Sequence, residues 1–138
     1  METRSKLLLN IRPQIPSAKV YDTMSNDEAF QNITLRPIIK MQNDLFVYVF
    51  KNYISKRKNV FYDLTLPKQM AYIENAIHKD MKFRNSLKGM VIGQFTVEEY
   101  ELYILNSSAL NKRMMNIVKE RLLSSIQLFV KPDFLKAV

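Results

Sequence analysis

The chain contains no cysteine, which excludes disulfides, thiolate zinc sites and cysteine nucleophiles and is the usage a reducing cytosol permits. Glycine occurs twice and proline five times in 138 residues, too few for the turns of an all-β sandwich or for a glycine-rich nucleotide loop. Histidine occurs once, as His78, so a multi-histidine metal site is out of reach and any histidine-dependent triad has only this residue to build on. Long apolar runs are missing too: Leu7, Leu8 and Leu9 make a stretch shorter than a signal-peptide core or a membrane span. Together these scarcities point to a cytoplasmic helical protein with no cofactor, metal, membrane or small-molecule substrate.

What is present is apolar bulk and positive charge. A hydrophobic fraction of 47% is enough for one core in a chain of this length. Lysine and arginine number 21 against 13 acids, a net charge of +8 and a pI near 9.7. Such an excess implies a polyanionic partner or an acidic surface.

The local patterns predict an all-α fold of about five helices preceded by an extended proline-containing segment. A short helix over residues 2–11 gives way to Arg12-Pro13-Gln14-Ile15-Pro16, where two prolines favour an extended path, so residues 12–24 read as a strap. Ser25 with Glu28 has the spacing of a capping box and opens a helix over 26–35, which Pro37 then punctuates. From Pro37, the residues Ile38, Met41, Leu45, Val49 and Tyr53, widened by Phe46 and Phe50, predict a central helix to about Ser55. The competing reading is a hairpin over residues 45–64, because the run from Leu45 to Phe50 is β-prone and Val60-Phe61-Tyr62 offers it a partner.

Thr65 as N-cap with Pro67 in the first turn opens a helix to about Phe83, with Met70, Ile73, Ile77 and Met81 as its apolar stripe. Gly93 ends the following stretch, Thr96 and Glu99 form a second capping box for a helix over 97–105, and Leu110, Met114, Ile117, Val118 and Leu122 carry a last helix to about residue 129. With no repeat or composition break, the expected organisation is a helix and strap over 1–24, a helical domain over 25–129 and a loose tail over 130–138.

Few residues are available for catalysis. His78 at helical spacing neighbours Glu74 and Lys82, an ordinary surface face. Glu98, Glu99 and Glu101 are acids in a first turn, where they complement the helix dipole. The Gly89 to Gly93 spacing lacks the lysine and the strand context of a phosphate loop, and the methionines, Met114 and Met115 included, read as adaptable core filler. The chain is therefore read as a binding protein and not an enzyme.

The positive charge falls on helix faces. At about 100° per residue, Lys40, Lys51 and Lys58 lie within about 20° of one another opposite the apolar stripe of the central helix. Lys56 and Arg57 extend that end into an acid-free knot. Lys68, Asn75, Lys79, Lys82 and Ser86 share the next face, a row of donors suited to a phosphate backbone, with Asp80 well off it. Arg84 and Lys88 continue the line of the Met70 to Met81 stripe, which predicts a helix end projecting past the core. On the last helix Lys112, Asn116 and Lys119 align, with Arg113 flanking.

A solvated face is the ordinary fate of any one such stripe. The acids, however, gather at helix starts, Asp27-Glu28 and Glu98-Glu99-Glu101, and leave these faces almost purely basic. Side chains of this kind favour phosphate and sugar contacts over base reading, with steep salt dependence. The stretch from Val97 through Asn106-Ser107 to Leu122 also has the length of a helix-turn-helix, in which Asn111, Lys112 and Arg113 would meet a DNA groove; the usual turn glycine is missing.

Three stretches carry a resemblance: FQNITLRPIIKMQNDLF (30–46), FRNSLKGMVIGQFTVEEY (83–100) and NSSALNKRMMNIVKERL (106–122). They resemble a family of small bacterial proteins often labelled glyoxalase, which is also similar to a lineage-restricted protein of the large ribosomal subunit. The ribosomal resemblance implies ribosomal RNA and neighbouring ribosomal proteins as partners, with the 12–24 strap laid along one of them. The glyoxalase label implies a lyase acting on a methylglyoxal thiol adduct through metal ligands from paired β-rich modules, whereas this sequence offers one histidine and helices.

Overall fold

The computed structural model describes residues 2–136. Residues 1, 137 and 138, which the expected N-terminal helix-and-strap and C-terminal tail include, lie outside the described residues. The fold is all-α: α1 (Glu2–Ile11), α2 (Asn26–Phe30), a π turn (Gln31–Leu35), α3 (Arg36–Met41), α4 (Asn43–Ser55), α5 (Leu66–His78), α6 (Met81–Ile92), α7 (Val97–Tyr103), α8 (Ser107–Ser124) and a short α9 (Asp133–Lys136). Two 3₁₀ turns, Val60–Asp63 and Ile126–Leu128, complete it. The alternative hairpin over 45–64 does not form: Leu45 to Phe50 lies wholly inside α4, and Val60-Phe61-Tyr62 forms one of the 3₁₀ turns.

Pro37 does not end its helix. The chain runs helically from Asn26 to Met41, and the turn before the proline widens so that the Arg36 N–H bonds to Gln31 O, five residues back. A π turn at this place accommodates the missing N–H and the ring that would press on the preceding turn. Ser25 caps the start by accepting from the Glu28 N–H at 3.1 Å.

The predicted central helix is broken at Gln42, whose ψ is 0°; its side chain donates to Met90 O at 3.2 Å, tying the corner to α6. The packing hub is instead α8, which touches α3, α4, α5 and α6. Its stripe Leu110, Met114, Ile117, Val118 and Leu122 is buried throughout, as its spacing predicts. The other pole of the core is aromatic: Phe50 lies within 4.9–6.3 Å, ring to ring, of Tyr53, Phe61, Tyr72, Phe83 and Phe129. Each such ring contributes roughly 1.5–3 kcal/mol by leaving water.

The helix predicted over 65–83 also breaks. Asp80 takes an extended ψ of 95° and becomes the N-cap of α6, accepting from the Phe83 N–H at 3.2 Å. The break resets the register, so Phe83, Leu87 and Val91 face the core while Met70 and Met81 stay exposed. Arg84 and Lys88 therefore flank an apolar stripe of α6 and do not extend a helix beyond the core. Asp80 also accepts from Tyr53 Oη at 2.8 Å and from Arg57 Nη2 at 3.0 Å. We expect Asp80→Ala to cost about 1–2 kcal/mol in urea unfolding, from the lost cap and the stranded Tyr53 hydroxyl.

The N-terminal segment is pinned by two arginines. Arg4 donates to Phe95 O at 2.7 Å and Gly93 O at 2.9 Å, satisfying carbonyls that follow the C-terminus of α6. Arg12 grips Glu99 with two bonds of 2.6 Å and reaches Gln94 O at 2.7 Å. Glu99 is thus more than a dipole-complementing acid: it completes the capping box with Thr96, accepts from Thr34 Oγ1 at 2.8 Å and holds the strap.

Candidate nucleic-acid interface

The sequence puts three side chains on one ridge of α4 at four-residue spacing, Tyr48, Asn52 and Lys56, and another three on α6, Lys82, Ser86 and Met90. In the fold these two ridges face each other across a groove of about 490 Å³, floored by Val49, Tyr53 and Phe83. That volume lies within the range of about 300–1,000 Å³ usual for clefts that take small molecules. Arg57 also lines it.

The cations of the groove differ in how far they are committed. Arg57 lies over the Tyr53 ring at 3.4 Å and is salt-bridged to Asp80 at 3.0 Å, so the Lys56-Arg57-Lys58 knot is not acid-free. Lys51 sits over the Tyr48 ring at 4.9 Å. Lys56 and Lys82 are exposed, one on each wall. Tyr48 is 69% exposed, an aromatic plate at the rim of a basic groove. Burial raises the Tyr53 hydroxyl to about 12, and its bond to Asp80 adds to the rise, so the phenol stays protonated. Asp80 is held below its ordinary value by the Phe83 N–H and then by Tyr53 and Arg57.

Of the residues selected from the sequence, the groove unites Lys56, Arg57 and Lys82, with Lys51 beside them over the Tyr48 ring. The break at Gln42 puts Lys40 on α3, a different helix from the one that carries Lys51, and Lys58 lies beyond α4 in a left-handed turn with φ 62°. Lys68 and Lys79 stand at opposite ends of α5, and the break at Asp80 separates them from Lys82 and Ser86. Arg84 donates to Ile77 O and approaches His78 Nδ1, both at 3.3 Å. Lys88 is half-buried on α6.

On α8, Lys112 is exposed and Arg113 donates to Gln31 Oε1 at 3.1 Å. Asn111 is likewise engaged, accepting from Tyr103 Oη at 2.6 Å. Lys119 lies near enough to His78 to act on it: burial, then Lys119 and Arg84, lower the imidazole against the pull of Glu74. Among the described residues no three His, Asp or Glu side chains are placed to hold a metal ion, and no helix is long and apolar enough to cross a membrane.

Tyr48 and Asn52 completed the groove without being singled out in the sequence, whereas Ser86 was already aligned there with Lys82. The signal was there in one respect: Tyr48 lies off the Phe46 and Phe50 stripe, an aromatic on a polar face. The break at Asp80 added Met90 to the Lys82 and Ser86 ridge on α6 and parted it from Lys68 and Lys79 on α5. Comparison with models of known families, with curated proteins and with solved structures found no match.

Proposed function

We propose that the chain is a structural RNA-binding component of the large ribosomal subunit, with ribosomal RNA in the α4–α6 groove and neighbouring ribosomal proteins against other faces. The observation that carries this reading is the pairing of an exposed aromatic plate, Tyr48, with lysines on both walls of one groove. Lys56 and Lys82 bracket a path for a phosphate backbone, and Tyr48 offers an unpaired base a stacking surface. The net charge of +8 and the resemblance of residues 30–46, 83–100 and 106–122 support the same reading. The reading gives the protein no reaction to catalyse and no cofactor to hold.

Co-sedimentation with large subunits at raised salt tests the assignment; recovery only in ribosome-free fractions overturns it. Competition between ribosomal RNA fragments and a pool of DNA duplexes separates it from DNA recognition, since a repressor selects particular duplexes. With RNA fragments, Tyr48→Ala is expected to weaken binding about tenfold, at the lower end of base stacking on an aromatic. Tyr48 is mostly exposed, so its thermal melt should not move. Pure protein given a methylglyoxal thiol adduct, with and without added divalent metal, should show no turnover.

A further inference from the structure

A second groove, of about 740 Å³, lies between α2 and the α7–α8 corner and shares no residue with the basic one. Its apolar residues are unusually open for a small helical domain: Ile33 is 56% exposed, Leu102 58% and Leu105 79%. Contiguous exposed apolar surface of this kind marks sites of interaction with other proteins. The charged residues that line it are both acids. Asp27 lines it and exposed Glu28 follows in the same turn, while the other lining acid, Glu99, is spent on Arg12; exposed Glu98 and Glu101, outside the lining, stand four residues before Leu102 and Leu105 in the sequence. Among the described residues that line it there is no lysine or arginine.

An apolar trough with acids beside it selects against nucleic acid. It fits a helix with leucine-like side chains at i, i+3/i+4 and i+7 for the trough and Lys or Arg on both flanks for the acidic borders. We propose that this groove docks a basic amphipathic helix of a partner protein. Leu102, Leu105 and Ile33 supply the apolar contact, and Glu98, Glu101 and the start of α2 set the charge preference, since complementary rim charges act mainly on specificity and on-rate. The protein then has two separate binding faces, a basic one for a phosphate backbone and an acidic-rimmed apolar one for protein.

The test uses the full chain and two synthetic helical peptides with identical leucine spacing, one flanked by lysine and one by glutamate. Titration followed by fluorescence anisotropy should show saturable binding of the lysine peptide and at least about tenfold weaker binding of the glutamate peptide. Leu105→Asp should weaken the lysine peptide about tenfold, as expected for loss of a central apolar anchor. Glu98→Lys with Glu101→Lys should erase or invert the preference between the peptides. All these side chains are exposed, so circular dichroism should match the parent, with melting of Leu105→Asp unchanged and that of the double reversal lowered only by the lost dipole interaction at the start of α7. Equal binding of both peptides, binding untouched by Leu105→Asp, or no binding of either overturns the proposal. So does concentration-dependent self-association that Leu105→Asp abolishes, because the occupant is then a second copy of this chain.

Discussion

Arg12→Ala is expected to destabilise the protein by about 3–5 kcal/mol, the cost of leaving one member of a buried ion pair without its partner. The two side chains are only 6% and 12% exposed and meet at 2.6 Å. The guanidinium forks both carboxylate oxygens and also satisfies Gln94 O, so no rotamer of Lys replaces it. Its loss strands the Glu99 carboxylate beneath the strap and loosens the start of residues 12–24, which Asn32 still holds through Lys19 O at 2.9 Å. Urea unfolding at neutral pH measures the cost, and added sensitivity of the strap to protease measures the release. Replacing both residues with leucine should recover a large part of the loss, because the penalty comes from the unpaired charge and less from the pair itself.

The same pair sets an acid limb. Burial pushes the Glu99 carboxyl up, but the bonds from Arg12, the Thr96 N–H and Thr34 outweigh it and hold the group below its ordinary 4.5. A group with a lowered folded value contributes fully above its unfolded value, and that contribution is lost as pH falls through the folded one. Wild-type stability should therefore decline below about pH 4.5, and the decline should flatten in Arg12→Ala, where the strongest bond to the ionised form is gone. An unchanged acid limb in that variant would show that other carboxylates govern it.

Charge reversal of the groove, Lys51→Glu with Lys56→Glu and Lys82→Glu, should lower affinity for single-stranded ribosomal RNA fragments about a hundredfold near physiological salt. Each lost phosphate contact removes about 0.7 from the slope of log K against log salt, so the slope should flatten by about 2. None of the three makes a hydrogen bond or salt bridge among the described residues that the fold depends on, and melting should stay within about 0.5 kcal/mol of the parent. Reversal of Lys40, Lys68 and Lys112, which lie outside the groove, serves as the comparison and should cost far less. If both sets weaken binding equally, the effect is net charge and the groove has no special part in it.

Several elements were legible because their determinants are local. The first helix, the Thr96–Glu99 capping box and the buried stripe of α8 each follow from residues within a few turns of one another, and the fold keeps them as predicted. The helix breaks were not legible in the same way. Gln42 is no breaker by type; its corner is fixed by a bond to a carbonyl 48 residues away. Asp80 does have cap chemistry, but Met70 to Met81 continued the helical period across it, and only the choice between Met81 and Phe83 as core residue decided where the chain turned.

The sequence by itself determined a helical chain with one core, an excess of positive charge and acids placed at helix starts, because periodicity, caps and composition act over short stretches. The tertiary structure alone decided which cations share a groove, that Arg57 is partly neutralised by Asp80, and that Arg12 belongs to Glu99, 87 residues on. Pairings of this kind depend on the directions in which helices leave their breaks. Those directions are set by what packs against each corner, which the residues at the corner do not encode.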